Sequence, residues 1–241
     1  MNISVFSSRN SKEIIRDPLS IAFGIGLPLI LQIFVSALQN KIGVDIFKIE
    51  YFTSGIAVFS FSFVSLFSGM LISKDRTSSF LNKLFSSPLS AFEYILGYTF
   101  PMLFIAIIQS VCCFALSIAL GMQFNANIIY AVIVLIPVSL LFIAIGILLG
   151  SLFNDKQVGG IFAGFAQVVA LSSGMWFDLN LIGGVMKSIC YALPFAHAVD
   201  LVKGVVIGNY SGLFIHFIWI AVYTVVIYIL AVKVFKKNMK N

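Results

Sequence analysis

Charge is what this chain has least of. Among 241 residues, Lys and Arg number 15 and Asp and Glu 9, so 10% are charged while 60% are hydrophobic. A soluble domain spends about a quarter of its residues on those four types. At less than half that share the chain cannot clothe a water-facing surface, which excludes a soluble enzyme, a disordered tail and a disulfide scaffold. Cysteine is also sparse. Cys112 and Cys113 sit inside an apolar run and Cys190 in a loop, with neither a metal spacing nor a disulfide frame, so all three read as apolar fillers. His197 and His216 are the two histidines. There is no His-Glu-x-x-His, no Gly-x-Ser-x-Gly elbow and no Gly-x-x-x-x-Gly-Lys-Ser/Thr phosphate loop. No catalytic or metal-binding residue is assigned, and the chain is expected to hold no cofactor and to hydrolyse no ATP.

What the chain has instead is long uncharged runs: Pro18 to Asn40, Tyr51 to Ser73, Tyr94 to Asn154, Gln157 to Phe177 and Gly204 to Val232. A helix needs about 20 apolar residues to cross the hydrocarbon core. The third run holds two passes around the turn Gly121–Asn127, and Gly208–Gly212 marks where the last helix begins. The expectation is an all-α integral membrane protein with six transmembrane helices. None contains Lys, Arg, Asp or Glu, which argues against proton relays, ion-coupled carriers and voltage sensors. The first run exceeds the roughly 7–15 residues of a signal-peptide core and is followed by five more, so it reads as an uncleaved span.

Six spans put both termini on one side. That side holds Arg9, Lys12, Arg16, Lys74, Arg76, Lys83, Lys156, Lys233, Lys236, Lys237 and Lys240, against Lys41, Lys48, Lys187 and Lys203 opposite. The bias makes the termini cytoplasmic. Anionic headgroups account for the net charge of +6, with no need of nucleic acid.

Inside the second span Ser54, Ser62, Ser65 and Gly69 fall near one face, while Phe59, Phe63 and Phe67 recur every four residues. Two readings fit: a packing seam opposite a lipid-facing aromatic stripe, or one wall of a pathway for an amphipathic substrate. Gly146-x-x-x-Gly150 and Gly160-x-x-x-Gly164 allow close helix packing, within the chain or between two copies. Gln32, Gln109 and Gln167 read as interhelical hydrogen-bonders. His197 and Asp200, spaced i,i+3, read as a structural hydrogen-bonded pair.

The cytoplasmic loop after the second span is the most informative. Phe80, Leu81, Leu84 and Phe85 share one helical arc, with Ser79, Asn82, Lys83 and Ser86 on the other. Asp75 precedes this helix, Pro88 ends it, and Ser90-x-x-Glu93 forms a capping box for the third span. Such a helix either floats among headgroups or receives a cytoplasmic partner. Ile3 to Asp17 mixes Val5, Phe6, Ile14 and Ile15 with Arg9, Lys12 and Arg16, which suits an interfacial helix.

In its order of Asp75-Arg76, Thr77, Ser87-Pro88 and Gly97, and again of Leu193-Pro194-Phe195, Asp200, Gly204 and Gly208, the chain resembles the membrane subunits of type-2 ABC exporters. Where that family often has Glu before the Arg and Gly before the Thr, this chain has Asp75 and no Gly. The resemblance implies a layout of one transmembrane domain: an interfacial helix over 1–17, spans one and two over 18–73 and a coupling loop over 74–93. Spans three to five follow over 94–177, a re-entrant outer segment over 178–211, span six over 212–232 and a basic tail over 233–241. It implies a second permease chain, identical or not, and two separate ATPase subunits that bind the ATP and Mg. Asp75, Arg76, Thr77, Phe80, Leu81, Leu84, Phe85, Ser87 and Pro88 would couple to the ATPase, and the N-terminal helix would also touch it. The expected function is export of a hydrophobic or amphipathic cargo (a drug, peptide or lipid-linked molecule) across a bacterial plasma membrane. The alternatives are a membrane scaffold or peptide-immunity protein that transports nothing, and a membrane enzyme.

Overall fold

The computed structural model describes residues 3–42, 47–78 and 90–238, and every regular element among them is helical. A short helix α1 (Ile3–Ile15) precedes the first apolar run. That run folds as α2 (Pro18–Ile21), a π-helical turn (Ala22–Gly26) and α3 (Leu27–Ile42). The long helices α4 (Ile49–Thr77), α5 (Ala91–Ala119) and α6 (Ala126–Leu152) follow, then α7 (Asp155–Ser172), the single turn α8 (Leu179–Ile182), α9 (Gly184–Ala192), α10 (Pro194–Val206) and α11 (Leu213–Asn238). The described structure thus omits residues 79–89, and with them the expected coupling residues Phe80, Leu81, Leu84, Phe85, Ser87 and Pro88.

Local chemistry sets the helix starts. The Ser90–Glu93 capping box forms in both directions: Glu93 N donates to Ser90 Oγ (3.3 Å) and Ser90 N to Glu93 Oε2 (2.7 Å). A second box opens α7, between Asn154 and Gln157. The fourth apolar run, expected to continue to Phe177 as the fifth span, leaves helix at Ser172. Gly174 turns the chain at a φ of +74°. The segment then folds back so that Met175 packs on Gly55 and Trp176 lies 5.8 Å from the Phe52 ring. The last helix runs into the basic tail as far as Asn238, and Phe235 is buried between Tyr94 and Tyr98.

α4 is the centre of the bundle, in contact with α3, α5, α6, α7 and α10. Its seam with α6 is made of small residues: Gly146 faces Ser65 and Ser68, and Gly150 faces Gly69, so closely that a Cβ on either glycine would strike backbone. Ser62 and Ser65 are buried on this helix. Phe67 is buried too, over Gly24, so the Phe stripe is not an open lipid face along its whole length; Phe59 and Phe63 are half-buried and meet edge to face at 5.9 Å.

Among the described residues four helices, α4, α5, α6 and α11, are each long and apolar enough to cross a membrane, or up to five spans if the bent pair α9 and α10 is counted as one. The first apolar run is divided by its π turn, and α7, 18 residues long, carries Asp155, Lys156, Gln157 and three glycines. α9 and α10 meet at 85°. Pro194 forces Leu193 to an extended conformation (φ −95°, ψ 152°), which breaks the helix there. The C-terminal end of this bent pair lies near the start of α4, with Lys203 over the Tyr51 ring (4.3 Å). Its apex meets the middle of neighbouring helices, where Phe195 packs on Phe142 and Phe165.

Gly146→Ala is expected to destabilise the protein by about 1–3 kcal/mol, because its methyl has nowhere to go. Gly160→Ala, which faces open space, leaves the midpoint of thermal unfolding in detergent unchanged.

Candidate functional site

A densely bonded polar cluster lies where α4 ends, against α1 and α5. Asp75, at the end of α4, is buried, with 2% of its side chain exposed. Arg9 of α1 grips it with both guanidinium nitrogens, Nη1 to Oδ2 at 2.6 Å and Nη2 to Oδ1 at 2.8 Å, and Tyr98 of α5 donates its hydroxyl to Oδ2 at 2.9 Å. A planar guanidinium matched to a carboxylate in this way is both strong and directional. Glu13 extends the cluster to Arg9 (2.5 Å) and to Lys74 (2.9 Å). Burial works against the charge on Arg9, but the hydrogen bond to Asp75 and the charges of Asp75 and Glu13 outweigh it and raise the guanidinium above its ordinary value.

An apolar and backbone layer lies beside this cluster. Phe6 is buried edge-on against Tyr94 (5.6 Å) and Tyr98 (4.9 Å), seated in the space that Gly97 leaves by having no side chain. Pro101 lacks the N–H that would bond the Gly97 carbonyl one turn back. Asn10 Nδ2 supplies the missing donor at 3.1 Å. Phe6, Asn10 and Ile14 are therefore the buried stripe of α1, while Val5 and Ile15 remain exposed. The helix read as an interfacial anchor is docked onto α5.

Arg76 turns the other way. Its Nη1 donates to the carbonyls of Gly150 (3.1 Å) and Phe153 (3.2 Å), capping the C-terminal end of α6 where backbone acceptors are left open. Thr77 bonds back to Lys74 O at 3.1 Å. Asp75 and Arg76 thus tie the loop base to α1, α5 and α6. Sequence reasoning placed these two residues at a partner surface and missed Arg9, Asn10, Glu13 and Tyr98. The signal available was the Phe6, Asn10, Ile14 spacing: a helix lying on lipid keeps an Asn out of its apolar stripe.

The residues considered for a substrate path lie elsewhere on α4. Ser54 bonds to Glu50 O (3.1 Å), and the buried hydroxyls of Ser62 and Ser65 have no hydrogen-bond partner among the described residues. Gly160 and Gly164 on α7 face open space, unlike Gly146 and Gly150. Gln32 and Gln109 do join helices. Gln32 donates to Cys113 O (3.1 Å), Thr53 and Ser117, and Gln109 to Gly24 O (2.7 Å) and Ser60 O (3.2 Å). Gln167 is exposed.

The pairing expected between His197 and Asp200 does not form. Asp200 accepts from the Tyr191 hydroxyl at 2.6 Å. His197 Nε2 lies 3.0 Å from Tyr191 O and its Nδ1 lies 2.7 Å from Nδ1 of His216, with the ring stacked on Trp219 at 5.0 Å. The reason is the bend at Leu193, which strips the last turn of α9 of partners for its carbonyls. His197 donates to the Tyr191 carbonyl, which leaves its Nδ1 to accept from His216, while Tyr223 donates to Ala192 O at 2.6 Å.

Helices that meet the length and apolarity of membrane spans, several of them among the described residues, define a multi-pass membrane protein. The model of the ABC-2 family transporter protein matches residues 36–233, and the chain belongs to that family. It is the membrane permease component of an ABC-2 type transporter, a domain that lacks ATPase activity and acts with ATPase subunits. No curated protein matches the chain.

Two substitutions test these contacts by thermal unfolding. Arg9→Met leaves Asp75 buried without its partner and is expected to cost about 2–3 kcal/mol, below the ~3–5 of a fully buried pair because a third of Arg9 is exposed. Adding Asp75→Leu to it should recover most of that loss. His197→Phe keeps the stack on Trp219 but orphans the Tyr191 carbonyl, at about 1–3 kcal/mol.

Proposed function

We propose that this permease is one half of an exporter dimer, in which the loop of residues 79–89 is the point where a separate ATPase subunit pushes on the membrane helices. The observation that carries the reading is the clamp at the loop base. Asp75 locks the end of α4 to α1 and α5, and Arg76 locks it to the end of α6. A displacement of the loop would therefore move these helices together. Asp75 acts as a positioning residue inside the protein, and the direct contacts to the ATPase fall to the loop beyond it. ATP and Mg are held by the ATPase, not by this chain.

In this reading the chain makes six spans. The run Pro18–Ile42, 25 residues long across its π turn, is roughly 37 Å at about 1.5 Å per residue and suffices for a crossing. α7 supplies the fifth span. α9 and α10 form a re-entrant hairpin from the outer face, a reading supported by Lys203 over Tyr51 at the α4 start and by the apex residue Phe195 on Phe142 and Phe165. Both termini are then cytoplasmic, on the side where the Lys and Arg residues gather. The open Gly160–Gly164 face of α7 offers a close approach to the second permease chain. The Phe-rich, uncharged spans favour a hydrophobic or amphipathic cargo, leaving the cell through a bacterial plasma membrane.

Mild-detergent purification of tagged chain from its native membranes, read by native mass spectrometry, is expected to give two permease chains with two ATPases. Reproducible recovery without any ATPase overturns the reading. In proteoliposomes of that complex, Phe85→Asp and Arg76→Glu should each lower ATP-driven transport at least about tenfold while the chain still inserts. Full transport in both would remove the coupling role from this loop.

A further inference from the structure

A crevice of about 260 Å³ opens sideways between α1, the π turn and α5. Its walls are Ile15, Gly24, Phe67, Pro101, Phe104 and Ile108. Gly24 contributes bare backbone to it, and Phe67 packs so closely over Gly24 that a Cβ there would strike the ring. Phe104 and Ile15 are about two thirds exposed, so the mouth faces outward, away from the bundle centre.

At Ser11 the crevice meets a polar shelf of about 650 Å³, formed by Ser7, Ser8, Ser11 and Lys12 above Phe100. Arg16 lies one turn beyond Lys12. Both cations are exposed, and the neighbouring carboxylate of Glu13 is turned to Arg9 and Lys74. An apolar slot beside the third to fifth turns of α5, continuous with hydroxyls and cationic groups at the positively charged end of the bundle, has the polarity profile of one amphiphile standing upright in a leaflet.

We propose that this groove binds a single anionic phospholipid of the cytoplasmic leaflet, one acyl chain in the crevice and the phosphate on the Ser7–Lys12 shelf. A chain that enters the slot leaves hydrocarbon for hydrocarbon, so the slot fixes position and contributes little preference. Selection comes from the cations, at about fivefold in affinity for each Lys or Arg near an anionic headgroup. The bound lipid would staple α1 to α5 beside the Arg9–Asp75 clamp. The site stands whether or not the loop drives transport.

The test uses the full-length complex in phosphatidylcholine vesicles, with Phe104→Trp as reporter. The two native tryptophans, Trp176 and Trp219, contact the outer segment and the hairpin, away from the crevice. Brominated phosphatidylglycerol is expected to half-quench the fluorescence of the introduced indole at a mole fraction at least about fivefold below that of brominated phosphatidylcholine. The double variant Lys12→Glu, Arg16→Glu should abolish that difference. Equal quenching by both lipids, or a preference that survives the double variant, overturns the site and leaves only bulk lipid contact. Should the F104W variant not fold, native mass spectrometry of the unmodified complex titrated with each lipid reads the same discrimination, with the same two outcomes.

Discussion

Inside a bilayer, a helix that bends, ends or turns back presents backbone groups to hydrocarbon, where no water replaces the lost bond and each orphan costs several kcal/mol. Much of this molecule follows from that constraint. The π turn frees a carbonyl at Gly24, and Gln109 reaches across from α5 to take it. Pro101 leaves the Gly97 carbonyl open, and Asn10 fills the place. α6 stops at Leu152, and Arg76 covers its last carbonyls. The bent pair exposes two carbonyls at its apex, taken by His197 and Tyr223. The polar side chains among these apolar helices are few, and these answer specific breaks in a helix.

Two of these repairs have a mechanical consequence. Asn10 and Arg9 are neighbours on α1, so the residue that mends α5 and the residue that neutralises Asp75 anchor the same short helix. Phe6 sits in the notch of Gly97, and Phe235 brings the end of α11 to the same aromatic group. This end of the bundle thus joins α1, α4, α5, α6 and α11 through one network of side-chain contacts. The opposite end carries stacked rings and the bent pair of helices.

The hydrophobic class, the all-helical fold and the capping box at Ser90 were legible in the sequence, as were Gln32 and Gln109 as bridges between helices. The limits of the fourth run were not, because an uncharged stretch reads as one span whether or not Ser172 and Gly174 end the helix early. The Phe stripe misled for a related reason: Phe59 and Phe67 have the same period, but only Phe67 meets a glycine on another helix. His197 was given the wrong partner because i,i+3 spacing describes a continuous helix, whereas its nearest need was a carbonyl on the far side of a bend.

The sequence by itself determined that this chain lives in lipid, and it alone carries the Lys and Arg bias from which an orientation is read. Aversion to charge within hydrocarbon and attraction of cations to an anionic surface are local properties that need no knowledge of neighbours. Only the tertiary structure decided what the polar residues are for. Arg9 finds Asp75 across 66 residues and Asn10 finds Gly97 across 87, and a bond over that separation exists only once packing has chosen which helices touch.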